Sequence, residues 1–214
     1  MILVINMDMI IFDMDGTIWN TVDATYEAAK TVTTKHALKE IPKKVIEENM
    51  GETYENVKNG YMPEYDDDTK EIIMQEIVLE IRNELKKGNV TIYNGIDEVV
   101  KELSKNYKLG IITNNDTTYV EYFFSKTNLK SYFNDYLGCA GLFNSKSEAI
   151  KYMKEKNNIK NVIYVGDTDI DKIEAEDAGA TFIHARYGFR YVDAVYFIND
   201  IKELPNILKN IKCN

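Results

Sequence analysis

The pattern of apolar and polar positions changes character once along the chain. Between about residue 20 and residue 92 every periodic stretch repeats at helical spacing. The clearest is 66–87, where Ile73, Ile77, Ile81 and Leu85 recur every four residues and mark one buried stripe. Its ends agree: Asp66, Asp67 and Asp68 lie at the positive end of the helix dipole, and Lys86, Lys87 and Gly88 at the negative end. Three consecutive side chains at a helix start cannot converge on one ion, so these aspartates read as capping and dipole residues rather than metal ligands. Residues 22–36 predict another helix, Pro42 suits the first turn of a short one, and Met50-Gly51-Glu52 separates that helix from the next.

From Tyr93 onward short apolar strands alternate with helices. The pattern predicts helices over 96–105, 118–126, 148–156, 170–178 and 201–211, and strands over 109–112, 161–165, 181–184 and 194–198. The apolar run 7–12 reads as a buried strand of the same sheet. Such alternation implies an α/β fold with a Rossmann-like parallel sheet covered by helices on both faces. The expected core is therefore discontinuous, 1–18 and 93–214, with an all-helical cap inserted over 19–92.

Composition narrows the classes. With 214 residues, 44% hydrophobic, 29% charged and only 3 Pro, the chain has the make-up of a globular protein with a substantial core. A formal net charge of -9 repels nucleic acid and anionic membranes, so neither is an expected partner. An anionic ligand must be held locally, by a metal ion, a lysine or helix N-terminal N–H groups. Cys139 and Cys213 form no C-x-x-C pair and read as free thiols in a reducing compartment. The run 1–12 lacks a basic start and carries Asn6 and Asp8, so it fits neither a signal peptide nor a membrane span, and a cytoplasmic location is expected.

Ligands of open parallel sheets bind outside the carboxyl ends of the strands. The residues following the predicted strands are Asp13 and Asp15, spaced to face one side, then Thr113, Asn114 and Asn115, then Asp167, Thr168, Asp169 and Asp171. Lys146 opens a helix between them. Singly, each has an ordinary role as turn, helix cap or solvated charge. Together, carboxylates gathered at one sheet edge would repel each other and any phosphate. At about 3.5 Å and an effective dielectric of about 20, each such charge pair costs roughly 5 kcal/mol, or about 9 for a phosphate dianion. One lysine offsets part of that, and a hard cation with oxygen ligands, magnesium in the usual case, offsets the rest.

The set then reads as phosphoryl transfer. Asp13 is the expected nucleophile, Asp15 the acid and base, and Thr113, Asn114 and the N–H groups from Asp15 through Gly16 to Thr17 the phosphate contacts, with Lys146 balancing charge and Asp167 on the metal.

Asp13-Met14-Asp15-Gly16-Thr17, Ile111-Ile112-Thr113-Asn114, Lys146 and Gly166-Asp167-Thr168-Asp169-Ile170-Asp171 resemble, in order, the four motifs of the haloacid dehalogenase-like hydrolase superfamily. Glu176-Asp177-Ala178-Gly179-Ala180 and Arg186-Tyr187-Gly188-Phe189 also look like that family's tail, and the helical insertion resembles its type-1 cap. The resemblance is greatest to the phosphoglycolate phosphatase-like group. It implies magnesium on the Asp13 carboxylate, the Asp15 main-chain carbonyl and Asp167, with Asp171 in support, and a small phosphorylated metabolite as substrate. Asn144-Ser145 and Ser147-Glu148 flank Lys146 where many relatives carry prolines. Asp15 argues against the dehalogenases. A phosphomutase of the β-phosphoglucomutase type shares the motifs, but usually carries a cap arginine where this chain has Met50-Gly51-Glu52-Thr53. A catalytically silent protein that binds a phosphorylated metabolite is the third reading. His36, Glu52, Thr53 and the tyrosines of the insertion are candidates for reading the leaving group, while Trp19 and His184 read as packing and strand-end residues.

Overall fold

A computed structural model describes residues 8–211. The chain runs β1 (Met9–Phe12), β2 (Trp19–Asn20), α1 (Val22–Lys35), α2 (Lys43–Asn49), α3 (Tyr54–Tyr61), α4 (Asp67–Lys87) and β3 (Thr91–Ile92). It continues α5 (Ile96–Leu103), β4 (Lys108–Thr113), α6 (Thr117–Lys126), β5 (Asp135–Gly138), α7 (Lys146–Lys156), β6 (Val162–Gly166), α8 (Asp169–Asp177), β7 (Thr181–Ala185), β8 (Phe197–Ile198) and α9 (Leu204–Leu208). It divides into two compact units, one of residues 1–18 and 92–214, the other of residues 19–91.

In the first unit the strands form one sheet in the order β5-β4-β1-β6-β7-β8, with each neighbouring pair parallel. β1 and β6 are buried at every position, which explains their nearly unbroken apolar runs. Met9 and Ile11 face one layer with Ile150, Met153, Val162 and Tyr164. Ile10 and Phe12 alternate to the other, where Phe12 meets the Phe133 ring edge-on at 6.3 Å. From β1 the chain builds outward through β4 and β5, then crosses back to lay β6 on the opposite side of β1. That reversal opens a crevice at the carboxyl ends of β1, β4 and β6.

Several boundaries differ from the sequence pattern. β5 was not expected: it is four residues long, half-buried in its middle, and led by Asp135, whose carboxylate is taken by Lys156 and Asn157. The expected strand 194–198 shrinks to Phe197–Ile198, and the expected helix 201–211 becomes a 3-10 turn at Ile201–Glu203 followed by α9. α7 opens at Lys146, as expected of that residue, two positions before the periodic stretch 148–156. Met7 and Cys213 lie outside the described residues, while Cys139 is a buried free thiol whose pKa burial pushes up to about 12.

The second unit is mainly helical, with α1 packed along α4. The Asp66 carboxylate caps α4 by accepting from Thr69 N–H at 2.9 Å and Thr69 Oγ1 at 2.8 Å, which lowers its pKa. Gly88 ends the helix at φ +96°, a left-handed turn that favours glycine. Ile73, Met74, Ile77 and Leu85 are buried, whereas Ile81 is only half-buried. The stripe therefore leans toward Met74 as the helix drifts from a strict four-residue repeat. Among the described residues, no helix is long and apolar enough to cross a membrane.

Ile77→Ala should cost about 2–5 kcal/mol, and Ile81→Ala less than about half of that, because only the first leaves a closed cavity. Denaturant midpoints of the two variants measure the difference, and equal losses would contradict the packing described.

Candidate active site

Asp13 continues β1 by one residue, its N–H donating to Val165 O at 2.9 Å. The chain then turns: Thr17 and Ile18 donate their N–H groups to Met14 O at 3.1 and 2.9 Å. Gly16 makes the turn at φ +84°, and a Cβ there would lie 2.2 Å from Asp167 Oδ2. Both conformation and space therefore demand glycine. Asp13 and Asp15 emerge buried, at 4% and 7% exposure.

Lys146 is the first residue of α7. Its Nζ bridges Asp13 Oδ1 and Asp171 Oδ1, each at 2.6 Å. Its backbone is held as firmly: the Glu174 carboxylate accepts the N–H groups of Lys146 and Ser147, and Ser147 Oγ donates to Asp177. Carboxylates on one face of α8 thus grip the start of α7. Burial pulls the Lys146 pKa down, but Asp13 and Asp171 outweigh it and hold the ammonium well above the ordinary lysine value.

Asp171 is saturated by the protein. Its Oδ2 accepts from Asp167 N, Thr168 N and Thr168 Oγ1 at 3.2, 3.1 and 2.7 Å, and Thr168 Oγ1 accepts the Asp171 N–H in return, a capping box. Asp167 is fully buried, with Oδ1 receiving Thr17 Oγ1 at 3.3 Å and Oδ2 the Phe189 N–H at 2.8 Å. Gly188 leaves its space open, since a Cβ there would stand 2.3 Å from Asp167 Cβ.

Asp13, Asp167 and Asp171 each offer an oxygen within 4.8 Å of the others. Burial raises the Asp167 pKa well above the usual carboxylate range, with Asp171 and Asp13 adding to it. Asp13 rises to about 7, also chiefly through burial, with Lys146 opposing and Asp171 reinforcing. Clustered buried oxygens that strain against ionisation suit a hard divalent cation. Because Asp171 is occupied by Lys146 and the turn, Asp13 and Asp167 are the better pair to hold it.

Asp15 points to other partners. Tyr119 O–H donates to its Oδ1 at 2.9 Å, and Asn115 Nδ2 to its Oδ2 at 3.4 Å. Thr113 ends β4, buried, and its Oγ1 accepts the Asn115 N–H at 3.3 Å; Asn114 is half-buried in the same turn. The crevice thus gathers Asp13 and Asp171 on the Lys146 ammonium with Asp167 beside them, while Asp15 accepts from Tyr119 and Asn115. Thr17, expected as a phosphate contact, has its hydroxyl on Asp167 and its N–H on Met14 O, which makes it an orienting residue for Asp167. Tyr119 and Glu174 were not singled out from sequence. Tyr119 could have been, since the first turn of a helix that follows a strand end points back toward that end. Of the insertion's candidates, His36 pairs with Glu76 at 3.0 Å on the surface. A broad cavity of about 910 Å³ lies at the opposite end of β1 and β4, beside Asp8, Lys108 and Asn134, where the Asp8 carboxylate is spent on the N–H groups of Lys160 and Asn161.

The family profile described as haloacid dehalogenase-like hydrolase matches residues 10–185. The chain belongs to this family. No curated protein matches it significantly in sequence. Among solved structures, a haloacid dehalogenase-like family hydrolase from Streptococcus pneumoniae superposes with a TM-score of 0.85 at 18% identity, over 95% of this chain and 99% of that one. A predicted phosphoglycolate phosphatase from Haemophilus somnus gives 0.84 at 18%, over 96% and 99%. A predicted phosphatase from Clostridium acetobutylicum gives 0.81 at 21%, over 96% and 99%. At such identities these likenesses establish the shared haloacid dehalogenase-like fold.

A carboxyl whose pKa is raised on folding weakens the fold as pH climbs past its unfolded value. For Asp13 that window runs from 3.8 to about 7. In chelator, the thermal midpoint should therefore fall from about pH 5 to about pH 8, and magnesium should raise it most at the upper end, where it need not displace protons. Thermal melts across that range measure this, and a midpoint indifferent to both pH and magnesium would contradict the cluster's role.

Proposed function

We propose that this family member is a cytoplasmic, magnesium-dependent phosphatase that hydrolyses a small phosphate monoester through an aspartyl phosphate on Asp13. The observation that carries the reading is the division of labour between two neighbouring carboxylates. Asp13 is locked to Lys146, while Asp15 is held by Tyr119 and Asn115. Two carboxylates in different environments can take different roles.

In the first half-reaction a carboxylate oxygen of Asp13 bonds to phosphorus. The ester P–O bond breaks with its electron pair going to the leaving oxygen, which takes a proton from Asp15. In the second, Asp15 removes a proton from water as its oxygen bonds to phosphorus, and the Asp13–phosphorus bond breaks. One water is consumed, and one alcohol and one inorganic phosphate are released. Thr113, Asn114 and the main-chain N–H groups of the Asp15–Gly16 turn hold the non-bridging oxygens, and Lys146 offsets their charge. A magnesium ion on the Asp13 carboxylate, the Asp15 carbonyl and Asp167 would supply further neutralisation of the phosphoryl oxygens, with Asp171 in support. The helical unit 19–91 serves as the cap that selects the leaving group.

Phosphate release over a panel of sugar phosphates, phosphoglycolate, nucleoside monophosphates and an aryl phosphate, with and without magnesium, tests this. Asp13→Asn should lower turnover by roughly 10³-fold or more while leaving the thermal midpoint near or above that of the wild type, because it removes a buried charge. Wild-type protein inert across the panel with magnesium would sink the reading.

A further inference from the structure

Nothing covalent fixes the plane of the Asp15 carboxyl, which sits on a turn, yet its aim decides whether a proton reaches the leaving oxygen. Donors approach both of its oxygens, among them the Tyr119 hydroxyl at 2.9 Å from Oδ1 and Asn115 Nδ2 at 3.4 Å from Oδ2. The first is a well-formed hydrogen bond, the second lies near the outer limit.

Tyr119 is itself anchored. Its N–H donates to the side chain of Asp116, the N-cap of α6, at 3.1 Å, and the residue is 7% exposed. The residues just before it press on the end of β5: a Cβ on Gly138 would lie 2.2 Å from both Asp116 C and Thr117 N. Thr117 Oγ1 also accepts the Gly138 N–H at 3.2 Å, and Gly138 is the register partner of Thr113 at the end of β4. The phenol is therefore referenced to the sheet that carries the site. A tyrosine, with two side-chain torsions, holds that position at little entropic cost.

Resting on the phosphatase reading above, we propose that Tyr119 is a positioning residue for Asp15: by donating to Oδ1 it sets the plane of the carboxyl that faces the leaving group. Asn115, longer and exposed, is the weaker of the two restraints. The role predicts a dependence on leaving-group chemistry. A nitrophenolate departs with little help from a proton, whereas an alkoxide needs one almost fully transferred.

The test compares kcat/KM, which reports the half-reaction that expels the alcohol, for wild type and Tyr119→Phe on p-nitrophenyl, phenyl and primary-alkyl phosphates with saturating magnesium. The loss should stay below about threefold for the nitrophenyl ester and reach about 10- to 100-fold for the alkyl ester, steepening the dependence on leaving-group pKa. Thermal melts check that the near-isosteric variant is folded. Asn115→Ala, which spares the ring, should steepen the dependence less. A uniform loss across the esters, no loss at all, or a larger change of slope in Asn115→Ala than in Tyr119→Phe overturns the proposal while leaving the phosphatase reading intact. Wild-type protein inert on every ester overturns that reading, and the positioning role with it.

Discussion

The ammonium of Lys146, buried between Asp13 and Asp171, is the contact on which the rest of the site depends. Burying ionised groups is costly unless each is paired and hydrogen-bonded, and here Asp167 adds a further buried carboxylate beside the pair. The fold meets that cost through its strand order. Placing β6 directly beside β1 brings the turn at Asp167 against the turn at Asp13, and α7 delivers the lysine between them. α8 then ties the lysine down at both ends, with Asp171 on its side chain and Glu174 on its backbone.

Close packing around these carboxylates is carried by missing side chains. Gly16 and Gly188 each stand where a Cβ would intrude on Asp167, and Gly166 where one would lie 2.7 Å from Asp171 Cβ. The three glycines come from two turns and the end of β6, so the space around the charge cluster is shared between distant parts of the sequence. A methyl group added at any of them would crowd a carboxylate of the cluster, and at Gly188 the Gly16 carbonyl oxygen as well.

Much of this was legible in the sequence for a physical reason. A buried parallel strand is a short apolar run, and the polar residues just after it must lie at the sheet's carboxyl edge, which brings Asp13, Thr113 and Asp167 forward without coordinates. β5 escaped because an edge strand led by Asp135 and half-buried in its middle carries no apolar run. The hold on the start of α7 escaped because Glu174 and Asp177, whose carboxylates accept from Ser147, belong to a separate helix that no local pattern ties to Lys146. Tyr119 could be placed near the sheet's carboxyl edge from its helix position, but that it meets Asp15, 104 residues away, depends on the strand order.

β1 is central in the sheet but precedes both of its neighbours, β4 and β6, which follow only on the far side of residues 19–91. During synthesis the helical unit, whose contacts lie within one continuous stretch, can close before the strand that leads to Asp13 has any neighbour. That strand, apolar at all four positions, must wait as an unpaired edge. The sheet is thus completed at its centre late, and a nascent chain halted before β6 would leave one edge of this apolar strand unpaired.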